Sequence, residues 1–165
     1  MKEFYLGLSG TDWALLGAAS ASILGGCGSA IGITIASAVV SGIVSEDSEK
    51  FGRLLPIAAM PGTQGIYGFI GAILVAVLWN LLGGNAIKSG IEGFQIFLAC
   101  QPVAWLCFVS AIYQGKTGAS AAGIVARRSE DSGKALIFPA LVETYAVLSL
   151  IVTILLLLSL QAIYK

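Results

Sequence analysis

Four long apolar stretches, separated by short polar breaks, dominate the chain. They run from Ala14 to Val44, from Leu54 to Ile87, from Gly93 to Gly115 and from Ala135 to Tyr164, and only the last contains a charged residue, Glu143. Each stretch exceeds the roughly 20 residues that an α-helix needs to cross a bilayer. The pattern therefore predicts an all-α membrane protein with four transmembrane helices.

The polar breaks are short, and two of them share a repeat. The residues SEDS at 45–48 recur at 129–132, and Lys50 recurs as Lys134, at an offset of 84 residues. Short connections make consecutive helices antiparallel neighbours. We predict two duplicated antiparallel hairpins, residues 1–85 with helices near 12–45 and 51–82, and residues 86–165 with helices near 90–127 and 133–163. Convergent polar turns are the alternative to duplication.

The basic residues are distributed unevenly between the two ends of the predicted helices. The first and third breaks carry most of them: Lys50, Arg53, Arg127, Arg128 and Lys134. The opposite end carries Lys2, Lys88 and Lys165. Because positive charge is enriched on the cytoplasmic side of membrane proteins, we expect cytoplasmic hairpin loops and external termini. The first ten residues lack a strongly basic segment, so we take the first stretch as a retained helix and not as a signal peptide.

The composition excludes several classes of protein. Of the 165 residues, 57% are hydrophobic and 11% are charged, whereas soluble domains carry about 25% charged residues. Nine basic and nine acidic residues cancel, so a nucleic-acid partner is not indicated. There is no His, the commonest transition-metal ligand. Cys27, Cys100 and Cys107 fit no metal-binding spacing, and we expect them to be small buried apolar residues.

Glu143 is the only acidic residue between Ala135 and Tyr164. A carboxylate near the middle of a transmembrane helix costs at least about 2.5–3.5 kcal/mol on insertion scales. It therefore needs a partner, which can be a proton, a cation or a basic side chain. We take Glu143 as the first candidate functional residue.

Other polar residues are expected at a similar depth. Pro61 loosens the second helix and frees nearby carbonyls such as that of Met60. Thr63, Gln64 and Tyr67 follow. Gln64 is the uncharged counterpart of Glu143 in the first hairpin, and the third helix supplies the amide of Gln114. For any one of these residues, repair of the proline kink is an alternative explanation.

The predicted ligands are oxygens, and this favours a hard cation. One carboxylate with neutral oxygens makes an electrically neutral site when it holds a monovalent ion, whereas a proton needs only the carboxylate and an acceptor. The surplus of oxygens favours Na⁺ over H⁺.

Two further segments invite functional explanations. Gly28 and Gly32 stand at GxxxG spacing in a helix of small residues, which predicts close helix packing. Residues 110–117 nearly match a phosphate-binding loop, but Ser110 replaces the first glycine and no strand precedes it, so we exclude nucleotide binding. Lys116 can counter a carboxylate, contact lipid headgroups or extend its ammonium towards the cytoplasmic interface, and we expect the last.

The chain resembles the proteolipid subunit (c, or K) of V-type ATPases, most closely its bacterial sodium-translocating branch. The resemblance extends over essentially the whole chain and is carried by PGTQGIYGF at 61–69, QGK at 114–116 and VETYA at 142–146. It implies a Na⁺ site whose ligands are Glu143, Gln64, Thr63, Gln114 and the backbone carbonyl of Met60. Tyr67 would hydrogen-bond Glu143. The position of Met60 is usually Leu in the family.

The same resemblance implies a function and a set of partners. Identical copies would form a closed ring, the membrane rotor of a rotary ATPase, surrounded by lipid in a bacterial plasma membrane. A stator subunit would supply an Arg that displaces the ion from Glu143. A central stalk would sit on the cytoplasmic loops, and ATP would be hydrolysed in a separate complex, so this chain would have no catalytic site. The alternatives are the same rotor carrying H⁺, and a small proton-coupled transporter of a cationic solute.

Overall fold

Every regular element in the computed structural model, which describes residues 7–165, is helical. The five α-helices are α1 at Gly10–Glu46, α2 at Phe51–Ala59, α3 at Thr63–Leu78, α4 at Gly90–Arg127 and α5 at Ser132–Tyr164. Short 3₁₀ turns connect them at Ser48–Lys50, Met60–Gly62, Leu81–Gly83 and Ser129–Asp131. Lys2, which contributed to the predicted orientation, lies outside the described residues.

The helices make four segments long and apolar enough to cross a membrane. We call them spans 1 to 4, and they are Gly10–Glu46, Ser48–Leu78, Gly90–Arg127 and Ser129–Tyr164. Span 2 contains α2 and α3, and the other spans contain one α-helix each. An all-α membrane fold with four apolar helices in two hairpins is thus confirmed. The division between residues 85 and 86 stays a prediction.

The two repeated polar turns lie at the same end of the bundle. Lys50, in the first turn, pairs with Asp47 at 3.3 Å. Its Nζ also donates to the carbonyl oxygen of Ala126, near the second turn, at 2.8 Å. At the other end, the hydroxyl of Thr11 accepts a hydrogen bond from the N–H of Ile87 at 2.9 Å. These contacts tie the two hairpins together at both ends.

Spans 1 and 3 pack closely through the predicted packing glycines. A Cβ added to Gly28 would lie 2.7 Å from the Cα and the carbonyl oxygen of Phe108, and one added to Gly32 would overlap the carbonyl of Ala111. The missing side chains therefore let the two backbones approach each other, as is common between membrane helices.

Cys100 and Cys107 are buried, as expected, but the expectation for Cys27 is wrong because its side chain is exposed. Gly25 and Gly28 face the neighbouring spans, whereas nothing lies within 4 Å of a Cβ added to Gly26. Cys27 shares the open side of α1 with Gly26.

The apolar core consists of two clusters separated by a polar layer. The cluster nearer the hairpin turns includes Leu54, Ile57 and Val125. The other includes Val75, Val103 and Leu157. Gln64, Gln114 and Glu143 occupy intermediate positions along their helices. The predicted polar residues thus lie at one level of the bundle.

Candidate functional site

Span 2 changes its helical geometry at the point where its polar residues lie. α2 ends at Ala59, Met60–Gly62 forms a 3₁₀ turn, and α3 begins at Thr63. Pro61, which is buried in this turn, has no N–H to continue the α-helical ladder. The carbonyl of Met60 accepts hydrogen bonds from the backbone N–H of Thr63 and, at 3.0 Å, from its hydroxyl. The turn therefore brings a backbone oxygen and a side-chain oxygen together.

Two fully buried amides link span 2 to spans 3 and 4. The hydroxyl of Thr63 lies 3.2 Å from Oε1 of Gln64. Nε2 of Gln64 donates to Oε1 of Gln114 at 2.6 Å. Nε2 of Gln114 donates in turn to the carbonyl of Pro139 at 3.0 Å and to Oε2 of Glu143 at 3.3 Å. Both amides are 0% exposed, so the chain of hydrogen bonds runs through the interior of the bundle.

Glu143 is half-buried and accepts hydrogen bonds at both carboxylate oxygens. The hydroxyl of Tyr67 donates to Oε1 at 2.8 Å, and Gln114 donates to Oε2. Within residues 7–165, the ion pairs are Lys50 with Asp47 and Lys134 with Asp131, both at the hairpin turns. Glu143 thus forms no ion pair with a basic residue of the described chain, so the bundle leaves its partner open to a proton or a cation.

The structure brings all the predicted site residues into one hydrogen-bonded cluster. Its members are Met60, Thr63, Gln64, Tyr67, Gln114 and Glu143. Their oxygens comprise one carboxylate, two amides, two hydroxyls and one carbonyl, a donor set that suits a hard cation. That these residues bind an ion stays a prediction.

Lys116 lies apart from the cluster. Its side chain is exposed, and its Nζ sits 5.0 Å from the centre of the Tyr113 ring. This distance fits a cation–π contact.

The cluster reaches the surface of the chain beside Glu143. A shallow, mostly apolar hollow of about 400 Å³ is lined by Ala140, Glu143, Thr144, Val147 and Leu148. The carboxylate is therefore accessible from the exposed face of span 4, whereas the amides of Gln64 and Gln114 are buried behind it.

Sequence reasoning missed two participants, Ser29 and Pro139. The hydroxyl of Ser29 accepts a hydrogen bond from the N–H of Gly65 at 2.7 Å. Nothing in the spacing of α1 separates Ser29 from the other serines of that helix. The Pro139 carbonyl holds Gln114, and the criterion that singled out Pro61 could have found this second proline, four residues before Glu143.

Comparison with known proteins gives consistent matches. The family model for the C subunit of ATP synthase matches twice, at residues 16–75 and 97–156, which confirms the duplication. The V-type sodium ATPase subunit K of Enterococcus hirae is 37% identical over 150 residues, covering 91% of this chain and 93% of the relative. The A-type ATP synthase subunit K of Methanocaldococcus jannaschii is 38% identical over 149 residues, covering 88% of this chain and 63% of the relative.

These matches agree with the four apolar spans and the two hairpins. Proteins of this family are non-catalytic membrane subunits of multisubunit rotary ATPases. The chain therefore belongs to the family of the ATP synthase C subunit, as a duplicated proteolipid of the V-type and A-type ATPases.

Proposed function

We propose that this chain binds one Na⁺ at Glu143 and carries it across the membrane as a subunit of a rotor ring. The observation that carries the proposal is a half-buried carboxylate with no basic partner in the described chain, set in a cluster of neutral oxygens. The proposed ligands are Glu143, Gln64, Thr63, Gln114 and the backbone carbonyl of Met60. Tyr67 holds the carboxylate in place.

Charge balance supports a monovalent ion. A single carboxylate with Na⁺ gives a neutral site, which lowers the cost of facing lipid. A divalent ion would leave an uncompensated positive charge. The hydroxyl of Thr63 lies 3.0 Å from the Met60 carbonyl and 3.2 Å from Oε1 of Gln64, so three neutral oxygens are already neighbours. A relative 37% identical to this chain bears the name of a sodium ATPase subunit, which further supports Na⁺.

We also propose how the protein works within its complex. Identical copies form a closed ring in a bacterial plasma membrane, each built from halves 1–85 and 86–165. The basic hairpin loops face the cytoplasm and receive a central stalk, and the termini lie outside. A stator subunit supplies an Arg that displaces Na⁺ from Glu143. ATP hydrolysis elsewhere in the complex drives rotation against a membrane potential, which costs about 2.3 kcal/mol per charge for each 100 mV.

The test is the labelling of Glu143 by a hydrophobic carbodiimide in membranes that contain the assembled complex. Labelling should slow as Na⁺ is raised at constant pH, with choline replacing Na⁺ to hold the ionic strength. Glu143→Gln should abolish labelling at this position, whereas Glu92→Gln, which removes a carboxylate from the start of α4, should leave both labelling and protection unchanged. A labelling rate that does not respond to Na⁺ but falls as pH rises would contradict the sodium proposal and favour the H⁺ rotor.

A further inference from the structure

Span 1 binds the peptide unit between Gln64 and Gly65 at one end and approaches it closely at the other. The N–H of Gly65 donates to the hydroxyl oxygen of Ser29 at 2.7 Å. The C=O of Gln64 points the other way, and a Cβ added to Gly25 would lie 2.9 Å from its oxygen. Ser29 is only 7% exposed, so this contact is shielded from solvent. The backbone of a proposed ligand residue is thus held by a helix that supplies no ligand.

The 3₁₀ turn explains why the N–H of Gly65 needs a partner from another span. Gly65 is the third residue of α3. The first four N–H groups of an α-helix have no carbonyl partner within the helix. A side-chain oxygen usually satisfies them from the preceding residue, as an N-cap. No side-chain cap is made at Gly62, the residue that precedes α3, and Ser29 accepts the hydrogen bond from across the helix interface.

The contact depends on small residues on both sides. A Cβ added to Gly65 would lie 3.1 Å from Oγ of Ser29, closer than most real contacts allow. Gly25 likewise leaves room for the carbonyl of Gln64. The glycine-rich stretch of span 1 therefore does more than bring helices together, because it lets one hydroxyl reach the backbone beside the ion site.

We propose that Ser29 is a positioning residue for the ion site. Its hydroxyl fixes the Gln64–Gly65 peptide, and this fixes where the amide of Gln64 and the hydroxyl of Thr63 stand relative to Glu143. Ser29 does not touch the ion. This inference rests on the proposed Na⁺ function and assigns to span 1 control over the affinity of a site built by spans 2, 3 and 4.

The experiment measures the Na⁺ concentration that halves carbodiimide labelling of Glu143 in membranes with the assembled complex. Ser29→Ala removes the acceptor and should raise this concentration about fivefold. Labelling without Na⁺ should keep its normal rate, since the contacts of Glu143 itself are intact. Ser29→Thr keeps a hydroxyl and should restore protection. Ser22→Ala is the matched control: Ser22 is half-buried, lies two helical turns earlier on α1 and should leave protection unchanged.

The outcomes separate this inference from the proposed function. If Na⁺ protects the unaltered complex and the half-protecting Na⁺ concentration is the same in Ser29→Ala, the positioning role alone is overturned. Absence of protection in the unaltered complex would overturn both. If Ser29→Ala does not assemble, Ser29→Cys decides the matter, because sulfur is a weaker acceptor. A half-protecting concentration raised about twofold or more in Ser29→Cys supports the role, and an unchanged one overturns it.

Discussion

Tyr67 and Gln114 hold the two oxygens of Glu143 from different spans. The Tyr67 contact is the shorter, at 2.8 Å against 3.3 Å for Gln114. Both donors bind a carboxylate, so both hydrogen bonds are charge-assisted, but only the Tyr67 contact has the usual hydrogen-bond length. Tyr67 therefore contributes more to fixing the carboxylate, whereas Gln114 also has to bind Gln64 and the Pro139 carbonyl.

Tyr67→Phe should weaken Na⁺ binding by at least about tenfold, because hydrogen bonds to charged groups contribute about 1.5–3 kcal/mol. The half-protecting Na⁺ concentration in the labelling assay measures this change. Tyr145→Phe is the control, since Tyr145 lies two residues from Glu143 but is 62% exposed. Equal Na⁺ protection in Tyr67→Phe and in the unaltered chain would show that Tyr67 does not stabilise the bound state.

The sequence was sufficient to identify the polar side chains of the site but not all their contacts. Glu143, Gln64 and Gln114 stand out because polar groups are rare in apolar helices. The role of Ser29 depends on how closely span 1 approaches Gly65, which no spacing along one helix reveals. Which of Gln64 and Gln114 donates to the other likewise depends on contacts among spans 2, 3 and 4, because Gln114 uses its own N–H groups to bind Pro139 and Glu143.

At the scale of the helices, proline alone does not predict where a helix breaks. Pro61 lies in the 3₁₀ turn of span 2, but Pro56, Pro102 and Pro139 lie inside α2, α4 and α5. The four spans themselves follow from hydropathy, because each exceeds the length needed to cross a bilayer. Close packing between spans 1 and 3 follows from the glycines, since those backbones meet where side chains are missing.

Gly32→Ala should destabilise the packing of spans 1 and 3, because the new Cβ would overlap the Ala111 carbonyl. Overpacking of this kind costs about 1–3 kcal/mol or more. The loss should appear as a lower unfolding temperature of the purified protein in detergent, followed by circular dichroism. Gly26→Ala is the matched control, since nothing lies within 4 Å of a Cβ added at that position. This variant should unfold at the normal temperature or slightly above it. Equal unfolding temperatures for the two variants would contradict the packing role of Gly32.

At the scale of the whole molecule, the single chain exposes apolar residues along α5. Leu141, Leu148 and Leu155, spaced seven residues apart on α5, are 60%, 58% and 59% exposed. Such a stripe suits lipid or a neighbouring copy. The hollow beside Glu143 opens on the same helix. The lipid or the neighbouring copy that covers this stripe would therefore also contact the surroundings of the carboxylate.

Electron microscopy of detergent-solubilised particles should show closed rings of identical copies. A ring follows from the proposed rotor, because each carboxylate must pass the same stator in turn. Particles of uniform dimer size would contradict the rotor and favour the small transporter.

The most direct test of the account is the number of Na⁺ ions bound per chain by the purified assembly at equilibrium. We predict that each chain binds one Na⁺ saturably, as measured with radioactive Na⁺. In Glu143→Gln the affinity for Na⁺ should fall at least about a hundredfold, because that variant leaves the buried ion without its compensating charge. Failure of the unaltered protein to bind Na⁺, or equal binding by Glu143→Gln, would contradict the claim that Glu143 carries Na⁺.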